Sequence, residues 1–209
     1  ILFHQRPFVR LYSNLVSDLG IPDPKQEVSM QLMPLLSTYA AVFGSLQPYV
    51  LPGFAFGWLQ LISHRSFLPN LMLLPNQKGW PIVHKLLICQ LIFLQPFLKT
   101  AQLNDSIRQL YKGTLRLLLV ILHDFPEFCC DYHLTLCDNI PATCVQMRNL
   151  ILSAYPKTMR LQDPAILNVE TLPEMQQPPR IFAEYPQMVL ERNFRATLDN
   201  YLVTKQPHD

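Results

Sequence analysis

Apolar residues recur at steps of three and four along almost the whole chain, and no run alternates long enough to require a strand. That period puts apolar side chains on one stripe of an α-helix, so such a chain buries itself by stacking helix on helix. Leu2, Phe3, Pro7, Phe8, Leu11, Leu15, Val16 and Leu19 make the first stripe, which Gly20 and Pro22-Asp23-Pro24 terminate. A second helix is expected from about Gln26 to Leu46, kinked or restarted at Pro34. A third covers about Gly53 to His64, and a shorter one Phe67 to Leu73. Trp80 and Pro81 open the next, which runs to about Leu98 and is apolar on nearly every side, as a central helix is. His84, Lys85, Gln90, Gln95 and Pro96 interrupt it, and the spacing reads as a buried helix, not a membrane span.

A further helix spans about Asp105 to His123, capped by Asn104 or Asp105. Asp124 with Glu127 has the form of an N-cap with a reciprocal glutamate, opening a helix from about Phe125 to Cys137. Asp138-Asn139-Ile140-Pro141 is a turn, and the next helix runs from about Pro141 to Ala154, where Pro156 stops it. Short helix, turn, short helix is the antiparallel hairpin of helical-repeat proteins. From Leu161 to Pro186 five prolines and sparse charge indicate an extended segment packed through its apolar residues. The expected organisation is a single all-α domain over residues 1–209, with a helical body to 160, an extended segment 161–186 and a terminal helix 187–204.

Composition narrows the function. Hydrophobic residues are 49% and charged residues 15% of the 209, too apolar for a disordered tail. The net charge of +2 is too slight to argue for nucleic acid or an anionic membrane. Five cysteines make no disulfide framework, and their odd number argues for reduced thiols inside the cell. The chain opens on Ile1, lacks the layout of a signal peptide, and reads as a piece of a longer protein.

Chemistry has few candidates. Cys130, His133, Cys137 and Cys144 are the best metal set, the first three lying on one helical face, but no Cys-x-x-Cys knuckle accompanies them. A cysteine nucleophile served by His123 or His133 and by Asp124 or Asp131 is the enzymatic alternative. The aromatic setting of Cys129 and Cys130 would raise a thiol pKa, against that use. The glycines are isolated, so no phosphate loop exists, and the acids are dispersed. Arg108, Lys112 and Arg116 form a basic stripe, read as a solvated face with RNA binding as the alternative. So few charges on a helical layer leave apolar patches of the kind that bind partners.

Several strings resemble a known family. Leu110-Tyr111-Lys112-Gly113-Thr114-Leu115-Arg116 and Leu122-His123-Asp124-Phe125-Pro126-Glu127-Phe128 are similar to the C-terminal homology domain of the NOT scaffold subunit of the CCR-NOT deadenylase complex. So are Cys130-Asp131-Tyr132-His133, Arg148-Asn149-Leu150-Ile151-Leu152-Ser153-Ala154, Met159-Arg160-Leu161 and, upstream, Gln77-Lys78-Gly79-Trp80-Pro81. Gln162 departs from the family's proline, Cys129 from its leucine, and residues 165–176 differ. The resemblance implies a HEAT-like stack of helical hairpins with no catalysis, no cofactor and no metal. It implies docking of other NOT subunits through extended segments and C-terminal domains, and of short translational-repressor peptides. The setting it implies is cytoplasmic and also nuclear, the outcome messenger deadenylation, decay and repression, with no membrane or direct nucleic-acid contact. Candidate partner-binding residues are Tyr111, Lys112, Arg116, Tyr132, Arg148, Tyr155, Arg160 and Asp163.

Overall fold

Asn104 starts the best-defined helix: its side-chain oxygen accepts from the Ile107 N–H at 2.8 Å, satisfying one of the donors every helix start leaves unpaired. The helix that follows, α6, runs Asp105–Asp124 and buries Ile107, Leu110, Thr114, Leu117, Leu118 and Ile121 along one face. Each fully buried leucine or isoleucine there contributes about 1.5–3 kcal/mol. The same logic builds the rest of the computed structural model, which describes residues 4–18, 28–100, 103–157 and 195–205. Its other helices are α1 (Arg6–Asp18), α2 (Val28–Ser45), α3 (Ala55–Ile62), α4 (Leu68–Met72), α5 (Trp80–Thr100), α7 (Pro126–Asp138), α8 (Val145–Leu152) and α9 (Arg195–Thr204). No strand occurs among the described residues.

The chain divides into two compact units, Ile1–Pro156 and Lys157–Asp209. In the first, α1 touches α3, α3 touches α6 and α6 touches α8, making one layer. A second layer runs α2, α5, α7, and the layers meet where α2 packs on α3, α5 on α6, and α7 on both α6 and α8. Alternate helices in alternate layers is the arrangement of stacked hairpins that the sequence spacing predicts. The second unit's described element is α9, which lies inside the expected terminal helix. The expected extended segment 161–186 lies outside the described residues.

Indole and aromatic contacts lock neighbouring helices together. Trp58, fully buried, donates from Nε1 to the Phe43 carbonyl at 2.7 Å. Phe43 meets Phe67 edge-on at 5.0 Å, and Trp80 meets Phe128 likewise at 5.6 Å. Trp80 also donates to the Met72 carbonyl at 3.2 Å, tying the start of α5 to the end of α4. The intervening loop turns through positive φ at Asn76 and Gln77. It brings Gly79 so close to the Leu71 carbonyl that a Cβ would overlap it. The string Gln77-Lys78-Gly79-Trp80-Pro81 is therefore a structural corner.

Helix α5 is long and apolar enough by composition to cross a membrane. Here it is a layer element packed on α2, α4, α6 and α7, with Val83, Leu86, Leu87, Gln90, Leu91 and Leu94 buried. Three expectations shift. Helix α2 runs through Pro34 without restarting. Asp124 closes α6 and its carboxylate pairs with His123 at 2.8 Å, while Phe125 occupies the N-cap position of α7 without a side-chain cap bond. The α8 helix starts at Val145, not Pro141, because residues 141–144 close a turn in which the Cys144 N–H reaches the Pro141 carbonyl at 2.9 Å.

Candidate docking surface

The eight candidate partner residues divide by what holds them. Tyr111, on α6, reaches across to the turn before α8 and into α8 itself, with its hydroxyl 3.2 Å from the Gln146 side-chain oxygen and 3.4 Å from the Cys144 sulfur. A phenol has one hydrogen, so with that spent on Gln146 the Cys144 thiol donates to the tyrosine oxygen. Burial pushes the Tyr111 pKa well above its ordinary value. Arg148 donates from Nη1 to the Cys137 carbonyl at 2.7 Å and to the Ile140 carbonyl at 3.1 Å. The Cys137 carbonyl also accepts from the Ile140 N–H at 3.2 Å, so Arg148 adds a charged donor to the turn that follows α7. Tyr132 stacks on His84 at 4.3 Å and packs against Phe128 at 4.9 Å. These three side chains hold α5, α6, α7 and α8 together.

Lys112, Arg116 and Tyr155 are exposed, Tyr155 by 51%. Arg160 and Asp163 lie outside the described residues. The exposed face of α6 also carries Arg108, and its apolar continuation is Leu119 and Val120, 54% and 50% exposed. On α8, Val145 and Leu152 are likewise exposed. These four apolar positions were not singled out from sequence. Their helical-wheel angle was the available signal, because Leu119 and Val120 fall with Lys112 and Arg116, away from Leu117, Leu118 and Ile121. A separate cleft of about 310 Å³ between α1 and α3 is lined by Gln5, Arg6, Val9, Arg10, Phe56, Gly57 and Gln60, with no histidine, cysteine or carboxylate among them.

The sulfur and imidazole set does not converge. His133 donates from Nδ1 to the Cys130 carbonyl at 2.6 Å, one turn back on its own helix. Cys144 is engaged with Tyr111, and Cys137 is buried. Among the described residues no three histidine, cysteine or acidic side chains stand where they could hold a metal ion. Burial pushes the Cys129 thiol up to about 12, with Cys130 adding to the shift. Burial also raises Cys130, helped by Asp131 and Glu127, and it raises Cys137 against the pull of Arg148. A nucleophile needs the opposite shift, and none of these thiols has it.

Set beside known proteins, the chain has clear relatives. The family described as "CCR4-Not complex component, Not1" matches residues 21–209. The chain is 42% identical over 213 aligned residues to the CCR4-NOT transcription complex subunit let-711 of Caenorhabditis elegans, covering 97% of this chain and 8% of that protein. Among solved structures it resembles the NOT1 superfamily homology domain from Chaetomium thermophilum, with TM-score 0.82 and 31% identity over 96% of this chain and 40% of that one. A structure of the Not1 C-terminal domain in complex with Not4 matches with TM-score 0.76 and 33% identity, covering 98% of this chain and 42% of that one. The chain thus spans less than a tenth of the length of its nematode relative. A family match over residues 21–209, and 42% identity over nearly the whole chain, carry one conclusion: the chain belongs to the Not1 family of CCR4-Not complex components.

Proposed function

We propose that the chain is a non-catalytic docking section of a CCR4-NOT scaffold, on which other NOT subunits and short repressor peptides seat. Through them it supports messenger deadenylation and decay, and translational and transcriptional repression. The observation that carries the reading is its likeness, at 33% identity over nearly all its length, to a Not1 C-terminal domain solved in complex with Not4. Raised thiol pKa values and a dispersed donor set support a role without bond chemistry. Exposed apolar side chains on α6 and α8 supply the surface such docking uses. We place its action in the cytoplasm and the nucleus.

Excision of residues 4–205 from the full-length scaffold tests this. The catalytic subunits should still copurify, the NOT subunits should be lost, and poly(A) shortening of a tethered reporter messenger should slow. Unchanged NOT-subunit recovery after the excision contradicts the proposal.

A further inference from the structure

Arg108, Lys112, Arg116 and Val120 stand four residues apart on α6, and all four are exposed. Residues at that spacing form a single ridge, inclined about 26° to the helix axis. None of the three cations makes an ion pair among the described residues. The ridge is bracketed by carboxylates, Asp105 at the start of the helix and Asp124 at its end. The result is a short, bounded run of positive charge that passes directly into an apolar end, Val120 flanked by Leu119.

Successive ridge residues are about 6 Å apart along the helix axis. Alternate side chains of an extended chain are about 6.6–6.8 Å apart and point the same way. Over the three cations the two spacings drift by about 1.5 Å, within the reach of long arginine and lysine side chains. We propose that this ridge docks an extended acidic polypeptide segment whose carboxylates occupy alternate positions and are followed, two residues on, by an apolar side chain. The segment crosses α6 obliquely, with its carboxylates on Arg108, Lys112 and Arg116 and its apolar residue against Val120 and Leu119. The inference rests on the docking role above and gives it a partner chemistry. A protein segment fits better than RNA. A nucleic-acid backbone carries its charge past both ends of the row, into Asp105 and Asp124, and has no use for the valine and leucine.

The test is fluorescence anisotropy of a labelled peptide, Glu-Ser-Glu-Ser-Glu-Ser-Leu, titrated with the full chain. Controls are a peptide of the same composition with its three glutamates adjacent, and a poly(A) oligonucleotide. The alternating peptide should bind saturably, and the adjacent-glutamate peptide about fivefold more weakly. The charge-reversed variant R108E/K112E/R116E, checked for helicity by circular dichroism, should lose about tenfold or more, and the single variant K112E should fall between. Equal binding of both peptides, undiminished binding by K112E, or displacement of the peptide by the oligonucleotide overturns the proposal. A Not4 segment titrated in parallel separates the two levels. If it binds and the acidic peptide does not, the ridge proposal falls and the docking role stands; if neither binds, both fall.

Discussion

Gln90 and Thr114 are the only buried polar residues among the described ones. The Gln90 amide nitrogen donates to the Thr114 hydroxyl at 2.9 Å, and that hydroxyl donates to the Leu110 carbonyl at 3.0 Å. The Gln90 amide oxygen is buried without a partner. Truncating one member therefore strands the other: Thr114→Val should cost about 1–3 kcal/mol in urea unfolding. The double change Gln90→Leu with Thr114→Val should recover most of it, because the orphaned oxygen leaves too. Arg148→Met removes two charge-assisted bonds at the end of α7 and should lower stability by about 2 kcal/mol. Partner affinity measured well below the melting temperature should be nearly unchanged, since the side chain is committed inward. His84 adds a pH dependence. Thr135 donates its hydroxyl hydrogen to the Tyr132 carbonyl, so His84 donates from Nε2 to Thr135, at 2.7 Å, and burial lowers its pKa. His64 is lowered too, by burial and then by Arg65. The unfolded chain then takes up protons first as pH falls through 6.5, while the folded chain lags. Stability is full above that value and declines below it. Urea midpoints at pH 7.5 and 5.5 should differ, and His84→Gln, which keeps a donor for Thr135, should narrow the gap.

Helix boundaries were legible wherever a sequence signal and a physical cap coincide. Asn104 marks the start of α6, and the prolines at 69, 81 and 126 fall in the first turns of α4, α5 and α7, where a missing N–H costs nothing. Reading failed where a pattern had two explanations. Asp124 with Glu127 looks like a cap and a reciprocal acid, but α6 keeps its hydrogen bonding through Asp124, so the aspartate ends one helix instead of opening the next. At Pro34 the sequence allows a kink or a restart, and the restart is excluded: α2 passes through as one helix, because packing on α3 and α5 outweighs one lost backbone bond. The corner between α4 and α5 is the element most open to disruption. Gly79→Ala drives a methyl against the Leu71 backbone, which cannot rotate away, and should cost about 1–3 kcal/mol or more by calorimetry.

At the scale of the molecule, the all-α stack follows from the period of the apolar residues, since the long helices of the first unit alternate between two layers, with the short α4 packed on α5. The docking surface was much less legible. Tyr111, Tyr132 and Arg148 stand out in sequence for their type, and the fold gives each half-buried side chain a contact between elements that type alone does not reveal. The exposed apolar residues Leu119, Val120, Val145 and Leu152 were hidden for the converse reason: they look like core until the helix face is fixed. The docking role itself is tested most directly by isothermal titration of the purified chain with segments that tile a Not4 subunit. The account predicts saturable binding at one segment per chain. A helical, cooperatively folded chain that releases no heat and binds no segment at any accessible concentration would contradict it.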